Sequence, residues 1–365
     1  MDMPELRGEV IYLYAFDVAY ELRRDAIHEL LGQRVEQFEV EPHKRMPRQL
    51  FFHRPQMVRL PIAEHRGSLG AMRLSTTIKL LPVGAITITM RIPFAVDALA
   101  DLVAYHAPQL DGISLDDHAR RLAEQVCAEL APALVRPVAS LAHEEAYTVF
   151  CFDAQLLGSA DSKQWLDRQR REVTALLTQE SDPAALADEE VEESTQRALS
   201  YYRTDLLVMD WDAALIVDRL PPSEETLYIL ELANLQLAEL EAYDRLLDEA
   251  IERAYRDLGS RRLAHRVIGE LGELRIDMAR LNDELSNITK FFGDWHLARI
   301  YAGISLRFHL ADWQRTIDDK LKTLDSIYQV LSHQRNNRLM LILESVVVAL
   351  FVIDLALVAL DIIRH

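Results

Sequence analysis

The chain has 365 residues, half of them hydrophobic, and sets 58 acidic against 40 basic side chains for a formal net charge of −18. That length suggests about two domains with ample apolar material for their cores. The acidic excess excludes a surface that docks broadly on nucleic acid or anionic lipid, since attraction to phosphate needs the opposite sign. Cys127 and Cys151 form no CxxC pattern, which points to free thiols in a reducing compartment, with no disulfide or metal staple and no cofactor implied. The opening MDMPELRGEV has neither an apolar signal core nor an Arg-rich, acid-poor presequence, so the large part of the chain is expected in the cytosol.

Up to residue 220 the pattern alternates between strand-like and helix-like runs. Strands are predicted at VIYLYAF (10–16), MVRLPIA (57–63), GAMRLSTTIKLL (70–81), GAITITMRI (84–92), AYTVFCF (146–152) and the DLLVMDWDAALIVD hairpin (205–218). Helices are predicted at 17–31, 95–105, 114–132, 161–179 and 184–199. The fold class is therefore α+β: a mixed β-sheet N-terminal half with helices, here divided into an N-terminal region 1–145 and a core 146–220 that continues the sheet. YLYAFD (12–17) and TVFCFD (148–153) end alike, each ahead of a helical pattern, which suggests a duplicated β-α unit. Against the overall charge, the segment between Glu41 and Glu64 carries Lys44, Arg45, Arg48, Arg54 and Arg59 with Phe51 and Phe52 and no acid. It is a candidate contact for an anionic partner; alternatively it is a proline-punctuated loop and edge strand whose bases answer the protein's own acids.

Past Pro221 and Pro222, Ser223 opens a helix with Glu224 and Glu225 in its first turn, where acids complement the helix dipole. Residues 221–338 read as long helices, antiparallel and coiled-coil-like. One seam runs through Leu230, Asn234, Leu237, Leu247, Ile251, Ala254 and Leu258. A second keeps heptad spacing through Leu271, Leu274, Met278, Leu281, Leu285, Ile288 and Phe292. A third runs from Leu310 through Trp313, Ile317, Leu321, Leu324, Tyr328 and Leu331. Gly259 and the Gly293–Trp295 cluster supply the turns between them, with a shorter helix near 295–308. Such seams either close a bundle within one chain or join chains into a homo-oligomer.

The third series meets no glycine or proline, so a single helix is predicted from 311 to 363. Its end, 339–363, holds seventeen Leu, Ile, Val or Phe residues among twenty-five and would reach ~37 Å, enough to cross a ~30 Å hydrocarbon core. Three acids lie within it: Glu344, Asp354 and Asp361. A central Asp opposes insertion by roughly 3 kcal/mol, against roughly 0.3–0.6 kcal/mol gained for each large apolar residue. A C-terminal transmembrane helix is thus expected, tail-anchoring a single-pass protein in the bacterial inner membrane with its body in the cytoplasm. Asp354 and Asp361 share a face, which reads as an oligomer seam, a tolerated neutral acid or a proton relay.

ELANLQLAELEAYDRLLDE (231–249), KFFGDWHLARIY (290–301), LADWQRTIDDKLKTLDSIYQVL (310–331) and the acids Glu344 and Asp354 resemble the uncharacterised family that includes the required-for-meiotic-nuclear-division proteins and the YagE-like bacterial proteins. The resemblance covers roughly 146–363. It implies a single-pass membrane protein whose partner is ribosome-associated in some mitochondrial members, and it carries no catalytic signature.

Catalytic patterns are missing from the sequence itself. There is no GxxxxGK[ST] loop, and Gly67 and Gly70 do not complete GxGxxG. HELLG (28–32) and HEEAY (143–147) lack the second histidine of HExxH. His43, His53 and His65 show no metal-ligand spacing and read as surface histidines. Asp210, Asp212 and Asp218 around the hairpin read as turn residues or, alternatively, a divalent-cation site. The acidic stretch 187–194 reads as a solvated helix start. Two functions remain: a scaffold or interaction protein that self-associates and recruits a partner, and an enzyme or ligand sensor with a pocket in the α+β half.

Overall fold

A computed structural model of the chain describes residues 5–23, 27–38, 55–138, 141, 145–158, 160–219, 224–258 and 295–364. Side chains of the last helix are described as far as Ile327, at Gln329, and from Met340 to Ile353. The chain divides into two units, Met1–Ala242 with Leu281–Trp313, and Tyr243–Arg280 with Gln314–His365.

The first unit is built on β1 (Leu6–Asp17), which pairs antiparallel with β9 (Ala85–Val96) on one side and β13 (Glu145–Asp153) on the other. Both faces of β1 are covered, so its sequence reads as a nearly unbroken apolar run rather than an alternating one. Beyond β9 come β8 (Gly70–Leu81) and β7 (Ala63–Gly67), then the short hairpin β10 (Gln109–Leu110) and β11 (Ile113–Ser114). Beyond β13 lies β15 (Ala213–Asp218), parallel to it, and then β14 (Leu206–Met209), antiparallel to β15. With β6 (Gln56–Arg59) on β8 and β5 (Glu36–Gln37) on β6, this makes a mixed sheet of 11 strands among the described residues.

Alternation along the strands sends successive side chains to opposite faces. Val10, Tyr12, Tyr14 and Phe16 point into the main core. There they meet Leu115, Ala119, Leu122 and Val126 of α1 (Leu115–Leu130) and Trp165, Val173 and Leu176 of α2 (Ser162–Leu177). Each such large side chain contributes about 1.5–3 kcal/mol by leaving water. Both helices start where the sequence places a cap: Ser114 accepts from the Asp117 N–H, and Asp161 from the Gln164 N–H. On the opposite face, Ala15, Leu81 and Ala85 pack against Leu235 and Ala238 of α4 (Glu224–Leu258). Also in this unit are α3 (Asp188–Thr195) and α5 (Trp295–Arg307). Phe308, just past α5, meets Tyr147 edge-on at 5.2 Å.

The second unit contains α4 from Tyr243 onward and α6 (Leu310–Arg364) from Gln314 onward. Leu247, Ala254, Ile317, Leu324 and Ile327 are buried, and the Lys320 ammonium bridges Asp244 at 2.7 Å and Asp248 at 2.6 Å.

The α+β class and its large mixed sheet are as expected, and the strands at 70–81 and 205–218 fall where the alternation puts them. Three local expectations are corrected. The described residues of 17–31 are not helical: they hold β2 (Ala19–Leu22) and β3 (Glu29–Leu30), which forms a hairpin with β4 (Gln33–Arg34). β2 finds its partner in β12 (Leu134–Pro137), more than a hundred residues away, and no local pattern can announce such a pairing. Because β1 leads into β2 and not a helix, the suggested duplication of a β-α unit fails. The run 57–63 is split, since β6 stops at Arg59 and β7 begins at Ala63. Pro61 lies between them, lacking the N–H a ladder needs.

The membrane expectation is also corrected. Among the described residues, no helix is long and apolar enough to cross a membrane. α6 is continuous as predicted, and the acids Glu344, Asp354 and Asp361 lie along its C-terminal part. The transmembrane, tail-anchored and inner-membrane assignments therefore do not stand. Glu344 lies exposed on α6, and the side chains of Asp354 and Asp361 lie outside those described.

Candidate functional site

The first turns of α4 carry polar residues on the side that faces the sheet, and this is where the chain concentrates buried charge. Glu231 accepts hydrogen bonds from Lys79 Nζ on β8 and Thr87 Oγ1 on β9. The lysine and glutamate side chains are only 7% and 5% exposed, so the pair has left water almost completely. The ammonium also lies 4.4 Å from the Phe38 ring centroid and 5.6 Å from that of Tyr228, and the aromatic faces help replace its lost hydration. One turn on, Asn234 Nδ2 donates to the Leu13 carbonyl at 3.2 Å and the Glu145 carbonyl at 3.0 Å, tying α4 to two neighbouring strands. At the helix start, Arg91 of β9 reaches Glu224 at 2.8 Å and Glu9 of β1 at 3.3 Å. Burial pushes the Glu9 carboxyl up against the pull of Arg91. Burial likewise works against the Arg91 charge, but Glu224 and Glu9 outweigh it and hold the guanidinium above its ordinary range. Cys151 lies opposite Glu9 in the ladder, and burial pushes its thiol well above the ordinary range.

Chemically, this seam fastens a helix to a sheet. The cavity beside it, lined by Lys79, Thr87, Tyr228 and Glu231, has a volume of about 10 Å³, room for one water at most. A nucleophile or base would need an open neighbour for substrate, and here ammonium and carboxylate are spent on each other.

A second polar knot lies at the other end of the strand array. Asp210 accepts from Ser194 Oγ, from the Trp211 N–H at 2.8 Å and from Arg307 at 3.3 Å. Arg307 also grips Glu193 and the Met209 carbonyl. Asp210 is thus a clamp between the β14–β15 hairpin and α5. Asp212 is raised by burial and by the neighbouring Asp210 charge, and Asp218 caps the Arg219 N–H. Among the described residues, no group of three His, Cys, Asp or Glu side chains could hold a metal ion.

Of the residues singled out in the sequence, Arg59 lies exposed at the end of β6, while Lys44, Arg45, Arg48 and Arg54 lie outside the described residues, as do His43 and His53. The heptad residues Leu271 to Phe292 lie there too. His65, read as a surface residue, is only 16% exposed and is bonded to Asp111. Sequence reasoning missed Lys79, Thr87 and Glu231. Their signal was a charged residue at an inward position of a strand, and a Glu on the apolar stripe of ELANLQLAEL.

The fold and the seam define an α+β protein with a large mixed sheet and a buried ion pair between α4 and that sheet. The chain belongs to the family described as "Uncharacterized protein MJ0711, N-terminal domain", which its residues 7–222 match. The "Uncharacterized protein MJ0711" of Methanocaldococcus jannaschii is 25% identical over 217 residues, which cover 58% of this chain and 65% of that relative's length. That relative is archaeal, and it lends no support to the bacterial location expected from the sequence. No solved structure matches the chain.

Proposed function

We propose that this protein is a scaffold or interaction protein that self-associates through the apolar part of α6 and uses its α+β body to recruit a partner. The observation that carries this reading is the row of large apolar residues from Met340 to Ile353, each 50–74% exposed. Such a surface is unfavourable in water, and monomeric proteins rarely leave large contiguous apolar patches uncovered. Further copies of the same helix are the covering that fits. Leu343, Val346, Leu350 and Ile353 recur at three- and four-residue spacing, the pattern of a coiled-coil seam. The Lys320 bridge between α6 and the α4 acids supports coiled-coil-like packing within each chain. The resemblance of residues 146–363 supports a ribosome-associated partner.

Sedimentation of the full chain, with crosslinking, tests the reading. An oligomer that falls to monomer in Val346→Asp and Leu350→Asp is the expected result. A native chain that stays monomeric across a wide concentration range, or variants that sediment as the native protein does, would overturn it. Affinity purification with ribosomal proteins and RNA scored explicitly tests the partner class.

A further inference from the structure

At the far edge of the sheet three elements converge on one cluster of titratable side chains. β7 contributes His65, the β10–β11 turn contributes Asp111, and α1 contributes His118. Asp111 and Gly112 both have positive φ, 50° and 88°, the tight Asp-Gly turn of a two-residue hairpin. That conformation aims the Asp111 carboxylate back at β7, where Oδ2 lies 2.7 Å from His65 Nδ1 and Oδ1 accepts from the Arg66 N–H at 3.0 Å. The Asp111 N–H returns a bond to the Arg66 carbonyl at 2.7 Å. The His65 and His118 rings meet edge to face, 5.6 Å apart.

We propose that His65, Asp111 and His118 form an acid-sensitive latch, which holds the β10–β11 turn and the start of α1 against β7 near neutral pH and loosens them when His118 takes up a proton. The charge pattern around His118 supplies the reason. It faces His65 from β7, Arg121 from its own helix and Asp111 from the turn. The two acids at the start of α1 are engaged elsewhere, Asp116 by Tyr14 Oη at 2.7 Å and Asp117 by Ser114 Oγ at 2.9 Å. A proton on His118 therefore meets the Arg121 guanidinium and, where His65 is protonated as well, a second imidazolium, while the carboxylate that would favour it is already committed to His65 and the Arg66 amide. Burial, His65 and Arg121 lower its pKa in that order against the opposing pull of Asp111. The sign follows: a histidine depressed in the fold adds stability above its unfolded value, and that stability is lost as pH falls below it.

Hydrogen exchange of the full chain, corrected for the intrinsic pH dependence, tests the latch between about pH 7.5 and about pH 5, the range over which histidine titrates. The Arg66 and Asp111 amides are expected to lose protection by about tenfold on acidification, and His118→Gln is expected to abolish that loss. Unchanged protection in the native chain, or the same loss in His118→Gln, overturns the proposal. Titration of the His118 ring by NMR in the native chain is the independent check should the variant fold poorly. A ring that titrates at or above the ordinary histidine value also overturns it.

Discussion

Removing one partner from the Lys79–Glu231 pair is the sharpest perturbation of the seam under α4. Lys79→Met leaves the Glu231 carboxylate buried at 5% exposure with the Thr87 hydroxyl as its donor, and Glu231→Leu leaves the ammonium against the Phe38 and Tyr228 rings. Breaking a buried pair from one side costs about 3–5 kcal/mol, because the orphaned charge keeps its desolvation cost and loses its compensation. For a unit of this size that is roughly a 10 °C fall in Tm. The double variant Lys79→Met with Glu231→Leu removes both charges and should recover most of the loss, leaving about 1 kcal/mol for the Thr87 hydroxyl that no longer has an acceptor. Urea unfolding followed by circular dichroism on the native chain, both singles and the double closes the cycle. Single variants costing under about 1 kcal/mol, or a double costing the sum of the singles, would refute the view that mutual compensation of buried charge holds this helix to the sheet.

Asn234→Leu strips the two carbonyl bonds to Leu13 and Glu145 and should cost about 2–3 kcal/mol in the same unfolding assay. Gly84→Ala should cost at least about 2 kcal/mol, since φ is +84° and the new Cβ would lie 1.8 Å from the Ala19 carbonyl oxygen; a native-like urea midpoint would refute that geometry. Burial lowers the His106 pKa, opposed by its bond to the Leu176 carbonyl. Stability from His106 is therefore lost as pH falls below the unfolded histidine value, and His106→Gln should flatten the Tm profile between about pH 7 and pH 5. The Cys127 thiol is pushed up to about 11, chiefly by burial, so alkylation at about pH 8 should run roughly a hundredfold slower than for an ordinary thiol. Brisk labelling there would place Cys127 in a more open setting.

Much of the first unit was legible because its strands and helices advertise themselves locally. The alternation at 70–81 and 205–218, the continuous apolar run at 10–16, and the capping residues Ser114 and Asp161 all follow from side-chain periodicity and hydrogen-bond chemistry within a few residues. β2 was illegible because its partner, β12, lies far along the chain, and strand pairing carries no local mark. Of the seam only the helix that carries it was legible. Asn234 was read as a member of the helical seam, but its strand partners, and Glu231 beside it on the same helix, were not, because a polar residue on such a stripe equally suits an interhelical contact and Lys79 looked like any strand lysine.

What the amino-acid order determined alone is therefore the periodic content: which segments are strands or helices, how far α6 runs without a breaker, and that acidic charge prevails. What only the tertiary structure decided is the company each polar group keeps. Lys79 with Glu231, Arg307 with Asp210 and His65 with Asp111 are pairs separated by 152, 97 and 46 residues. Their energetics depend on distance and exclusion of water, and neither quantity exists until the chain has closed on itself.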